Sequence, residues 1–172
     1  MHPHPAAVHF PIAFLSLACG LDLLQVFSGN YNVVNVKQWA SAQEIMKAAH
    51  YAQILGLIAA IPAIATGFRD SINSLWGQSL YDKQTKQLRP KIKILAIHTA
   101  VTIIATLGHL GIFYNRERVQ STWASLGQLD PRIVALEAIF CGLMFFGAGL
   151  GGKLAFQFGM CAGVQQKKNK SQ

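Results

Sequence analysis

Along these 172 residues, four apolar runs alternate with polar connections. They cover roughly 8–27, 50–68, 94–114 and 134–154, each close to the ~20 apolar residues that a helix needs to cross a bilayer. A helix that is apolar all round either spans a membrane or lies at the centre of a large protein. A chain this short has no large core in which to hide four of them. The pattern therefore predicts an all-α membrane protein, a four-transmembrane-helix bundle. It is expected to form one domain over residues 1–163, followed by a basic disordered tail, 164–172.

The connections carry their own signals. The first run ends at Ser28-Gly29-Asn30, and the polar loop 28–49 closes with a stretch, 41–47, that reads as a short amphipathic or extended helical turn. The loop 69–93 is rich in Lys and Arg. Asp130-Pro131 reads as the N-cap and first residue of the fourth helix. No internal repeat is obvious. The last three runs are rich in small residues, among them Gly56, Gly67, Gly108, Gly142, Gly147, Gly151 and Gly152. Such residues let helix backbones approach closely in a bilayer, and the same gaps would admit a flat cofactor.

Composition agrees: 52% of residues are hydrophobic and only 13% charged, where a soluble domain carries about a quarter. The net charge of +8 shows no stripe of basic residues interleaved with aromatics, so no nucleic-acid partner is expected. It fits a topological bias instead. Arg69, Lys83, Lys86, Arg89, Lys91, Lys93, Lys153, Lys167, Lys168 and Lys170 fall on the side shared by both termini. Lys37, Lys47, Arg116, Arg118 and Arg132 fall on the other, which places both termini on the inner, cytoplasmic side. No Lys or Arg precedes the first run and no cleavage site stands out, so that run is expected to stay in the mature protein. Cys19, Cys141 and Cys161 lack metal-ligand spacing and read as small core residues.

Polar residues inside the runs carry the candidate chemistry, because they are costly there and usually face a bundle interior. His9 enters the first helix from the inner side, with His4 just outside it. His98 lies five residues into the third helix, at about the same depth at 1.5 Å per residue. His50 and His109 form an outer pair. His98 and His109, eleven residues apart, point along one face about 16 Å from each other, with Thr102 and Thr106 between. Asp22, near Gln25, reads as an interfacial cap, a partner for Arg116 or Arg118, or a functional carboxylate. Asp70 sits at the inner corner, and Glu137 reads as a helix N-terminal charge. No phosphate loop, nucleophile elbow, HExxH motif or hydrolase-type carboxylate pair occurs.

The opening His4-Pro5-Ala6-Ala7-Val8-His9-Phe10-Pro11 resembles the start of the family of four-span membrane proteins labelled domain of unknown function 2231 (DUF2231). Thr66-Gly67-Phe68-Arg69-Asp70, the run Leu88–Lys93 followed by His98, and Gly151-Gly152-Lys153-Leu154 are similar to its later motifs, and the fungal-type members look closest. The resemblance covers nearly the whole chain. It implies a site built from His4, His9, Asp70, His98, Gly151 and Gly152. Bacterial members joined to Rieske-type iron–sulfur domains imply a redox setting. Neutral imidazole is a metal ligand and an axial ligand of haem iron. The expected function is therefore a lipid-embedded b-type haem site that exchanges electrons with a redox partner protein. In this reading His9 and His98 are ligands of haem iron or a bare metal, and Arg69, Arg89 or Lys91 pairs with the propionates. Two alternatives stand beside it: a non-catalytic scaffold with structural histidines, and proton- or metal-linked transport along the His98–His109 stripe.

Overall fold

The computed structural model describes residues 4–30, 40–119 and 129–160, which fold into helices and their connections. The short α1 (His4–Ala7) and α2 (His9–Asn30) are separated by a turn at Val8. The Val8 amide still donates to the His4 carbonyl at 3.1 Å, and the Ile12 amide to that of Val8 at 3.3 Å. The two therefore form a single 25-residue candidate span, His4–Ser28.

Next, α3 (Ala42–Leu75) starts earlier than the apolar run suggests. Ser41 and Glu44 form a reciprocal capping box, so the helical stretch at the end of the polar loop is the opening of this helix. At 34 residues it is about 51 Å long, well beyond a hydrocarbon core of ~30 Å. In the connection 76–89, Asp82 Oδ1 accepts from the amides of Gln84 at 2.8 Å and Thr85 at 3.1 Å. The Thr85 and Gln84 amides hold this exposed carboxyl below the usual carboxylate range. Finally, α4 (Pro90–Val119) opens on a proline, and α5 (Pro131–Phe158) starts at an Asp130 cap with Pro131 in its first turn, as its sequence signals. Gly159, in the left-handed region at φ 64°, closes α5.

Helices α2 and α3 pack as one antiparallel hairpin and α4 and α5 as another, with α2 against α5 and α3 against α4. Leu15, Cys19, Ala105, Cys141 and Met144 form the centre, and Leu95, Leu154 and Met160 a second cluster at the end where α1 begins. Large apolar side chains such as Phe10, Leu55, Ile61, Phe68, Ile104 and Phe146 point outward. That arrangement suits lipid rather than water as the surrounding medium.

The two hairpins repeat each other. A shift of 94 residues carries His4 onto His98, Pro11 onto Ala105, Leu15 onto His109, Ala18 onto Ile112 and Asp22 onto Arg116. A shift of 84 carries Gln53 onto Glu137, Ala60 onto Met144, Ala63 onto Gly147, Gly67 onto Gly151 and Asp70 onto Leu154. Apart from the histidine and glycine pairs at the end, every residue in these matches is buried. The bundle is thus two related hairpins side by side, a repeat that the side chains had diverged too far to announce.

Close packing within each hairpin falls at equivalent places. A Cβ added to Gly56 would stand 2.7 Å from the Leu15 side chain and 3.1 Å from its backbone nitrogen, whereas one added to Gly20 would meet nothing within 4 Å. At the position matching Leu15, the His109 ring contacts Phe140, which matches Gly56. Gly56→Ala is expected to lower stability by about 1–3 kcal/mol through overpacking. Gly20→Ala should be neutral or stabilising by up to ~1 kcal/mol. Unfolding of the purified variants in mixed micelles checks the pair.

Candidate functional site

The bundle holds two polar layers. The first lies where α1 begins. His4 Nδ1 donates to the Ala63 carbonyl at 3.0 Å, with Thr66 Oγ1 at 3.3 Å. Its ring lies on Gly67, where an added Cβ would come within 2.7 Å of Cε1. In the other hairpin, His98 Nδ1 donates to the Gly147 carbonyl at 2.8 Å, and a Cβ on Gly151 would stand 3.1 Å from its Cε1. Each imidazole bonds a carbonyl and rests on the glycine one turn further along the same helix. A carbonyl only accepts, so Nδ1 carries the proton in both rings and Nε2 keeps its lone pair. Neither Nε2 has a hydrogen-bond partner among the described residues.

His9 does not join this layer. Its ring is exposed, and Nδ1 donates to the Pro5 carbonyl of its own chain entry at 2.5 Å. Five positions separate it from His4, about 140° round a helix, so the two cannot share a face. The equivalent position in the second hairpin is Ile103, which also points outward. The imidazole that packs into the first hairpin as His98 packs into the second is therefore His4, not His9. Asp70 is buried at the same end. Gly152 borders open space, and the Thr102 and Thr106 hydroxyls donate to carbonyls one turn back in α4. Exposed Arg69 and Lys153 are also equivalent under the repeat. Among the described residues, no three His, Cys, Asp or Glu side chains gather as a metal site.

The second layer lies 18 residues further along both α2 and α4, about 27 Å away at 1.5 Å per residue. Arg116 is its hub. Nη2 donates to Asp22 Oδ2 and, at 2.8 Å, to Glu137 Oε2; Nη1 donates to Gln53 Oε1 at 3.1 Å. Gln53 Nε2 in turn donates to the His109 carbonyl at 3.2 Å. Each of the four long helices supplies one residue, and all four side chains are buried. Of the two partners open to Asp22, Arg116 takes the pair, while the Arg118 guanidinium sits 4.6 Å above the Tyr114 ring. Glu137 corrects the expectation of a helix-terminal charge. It is fully buried and ion-paired, because it lies almost two turns into α5 on the face turned to α4. His50 lies at the edge of this layer, 3.3 Å from Glu117 and stacked on Phe113. Cys161 and the tail 164–172 lie outside the described residues.

A family profile described as predicted membrane protein (DUF2231) matches residues 2–163. The chain belongs to this family. The match takes in all five helices and every residue of both layers, so the protein is a multi-pass membrane protein with four candidate spans. No curated protein and no solved structure matches it.

Reading residues singly missed Gln53 and misjudged Glu137. A signal was present: each lies 14 residues before the glycine, Gly67 or Gly151, that seats a histidine. Removing the hub charge leaves two buried carboxylates facing each other, so Arg116→Gln is expected to cost about 3–5 kcal/mol of stability. Arg118→Gln, with its exposed side chain, should change it by less than ~0.5 kcal/mol. Denaturation in detergent checks both.

Proposed function

We propose that the protein binds one b-type haem at the end of the bundle where α1 begins, with His4 and His98 as axial ligands, and that it passes electrons to or from a partner protein. One observation carries the reading: the two imidazoles, at equivalent positions of the two hairpins, both bond a backbone carbonyl through Nδ1 and both leave Nε2 unbonded. An Nδ1–H held by a carbonyl fixes the tautomer and raises the basicity of the other nitrogen, as is usual for histidines that bind metal. Two imidazoles are also the donor number that a haem asks of its protein, since the macrocycle supplies the other four nitrogens.

The chain's other residues take supporting roles. Gly67 and Gly151 seat the ring edges, where any side chain would push the imidazoles aside. Arg69 and Lys153, one from each hairpin, are exposed cations suited to propionate carboxylates, and Arg89 and Lys91 precede and open α4 at the same end. Bound there, a haem supplies a one-electron couple close to one membrane face.

The test is a reduced-minus-oxidised and pyridine-haemochrome spectrum of protein expressed with haem supplied. A b-type band is expected in the wild type and in His9→Gln, and its loss in His4→Ala and in His98→Ala. No band in the wild type, or a band that survives both substitutions, refutes the assignment.

A further inference from the structure

The Arg116 layer poses a separate question, independent of any cofactor. Two carboxylates, Asp22 and Glu137, converge on the same guanidinium nitrogen, so their oxygens are also neighbours of each other. Arg116 brings one positive charge against two negative ones, and Gln53 is neutral. A net negative charge among buried side chains within the membrane span is costly, and titratable groups so placed neutralise instead. A proton between the two carboxyl groups removes the imbalance and the repulsion together.

The surroundings also leave a place for a proton to go: Glu137 Oε1 is buried without a hydrogen-bond partner among the described residues, whereas the equally unpartnered Arg116 Nε–H can only donate. His109, two turns further in on the same face of α4 as Arg116, is 0% exposed, and neither of its ring nitrogens has a partner among the described residues. A wholly buried imidazole with both nitrogens idle is rare unless it faces water or exchanges a proton. Among the described residues, buried Cys19 and Cys141, one turn from Asp22 and Glu137, are further titratable groups beside the cluster. A route inward is visible as well. Exposed Glu117 adjoins Arg116 in sequence and pairs with His50, and His50 lies one turn from Gln53 on α3.

We propose that Asp22, Glu137, Arg116, Gln53 and His109 form an intramembrane proton-binding site that holds one exchangeable proton on the Asp22–Glu137 carboxyl pair. Infrared spectroscopy of the intact protein in phosphatidylcholine vesicles tests it. The expected result is a protonated-carboxyl C=O band at neutral pH that shifts down in deuterated water. Glu137→Gln and Asp22→Asn each leave one carboxylate facing Arg116 with the charges balanced, so the band should vanish in both; Glu137→Gln also keeps an acceptor for Arg116 and so protects the fold. Loss of the band in only one variant supports the site and places the proton on that carboxyl. Absence of the band in the wild type, a band insensitive to deuterated water, or a band that survives both substitutions overturns the proposal, and the wild-type arm decides even if a variant fails to fold.

Discussion

The bundle depends on one guanidinium. Arg116 is buried in a membrane protein, where an unpaired charge is prohibitive, and its two terminal nitrogens find partners only when α2, α3 and α5 bring Asp22, Gln53 and Glu137 to it together. Apolar packing in lipid has little power to choose one register over another, because lipid is as apolar as the side chains. A polar hub does have that power. Sliding any helix by one turn would leave a buried carboxylate, amide or guanidinium without its partner. The same contact therefore sets the depth of all four helices and, 18 residues away on α2 and α4, the level at which His4 and His98 meet the opposite helices.

That coupling follows from the repeat. Equivalent positions hold the two histidines, the glycines beneath them, two exposed cations, and the pairs Asp22 with Arg116 and Gln53 with Glu137. At the end where α1 begins, the histidine, glycine and exposed-cation pairs are alike, although Asp70 matches Leu154, and they give a matched pair of imidazoles. At the other end they diverged in charge, and the divergence is what allows them to bind: like residues there would repel, whereas an acid opposite a base attracts. One architecture thus yields a near-symmetric layer with one seated imidazole in each half and an asymmetric layer that locks the halves together.

Much of this was legible in the residues. Four apolar runs imply four spans because backbone polar groups in lipid must be satisfied within a helix. Asp130-Pro131 marked the start of α5 by capping chemistry, and Arg116 was one of two partners available to Asp22. Spacing along the chain also put His98 on the inward face and at the depth of the helix-one entrance, and the family motifs pointed to the same end. The helical stretch 41–47 was assigned to the loop rather than to α3 because the apolar run starts later than the capping box, and hydropathy reports lipid contact rather than helix length.

What the sequence determined on its own is what depends on the local chain: the spans, the Asp130-Pro131 start of α5, the spacing of polar residues along each helix and the family. The tertiary structure alone decided which of two neighbouring histidines turns inward, that Glu137 is buried rather than terminal, and that Gln53 completes the hub. Depth is a matter of counting residues at a fixed rise. Facing depends on how each helix is rotated about its axis, and that rotation is set by partners on other helices, above all by Arg116.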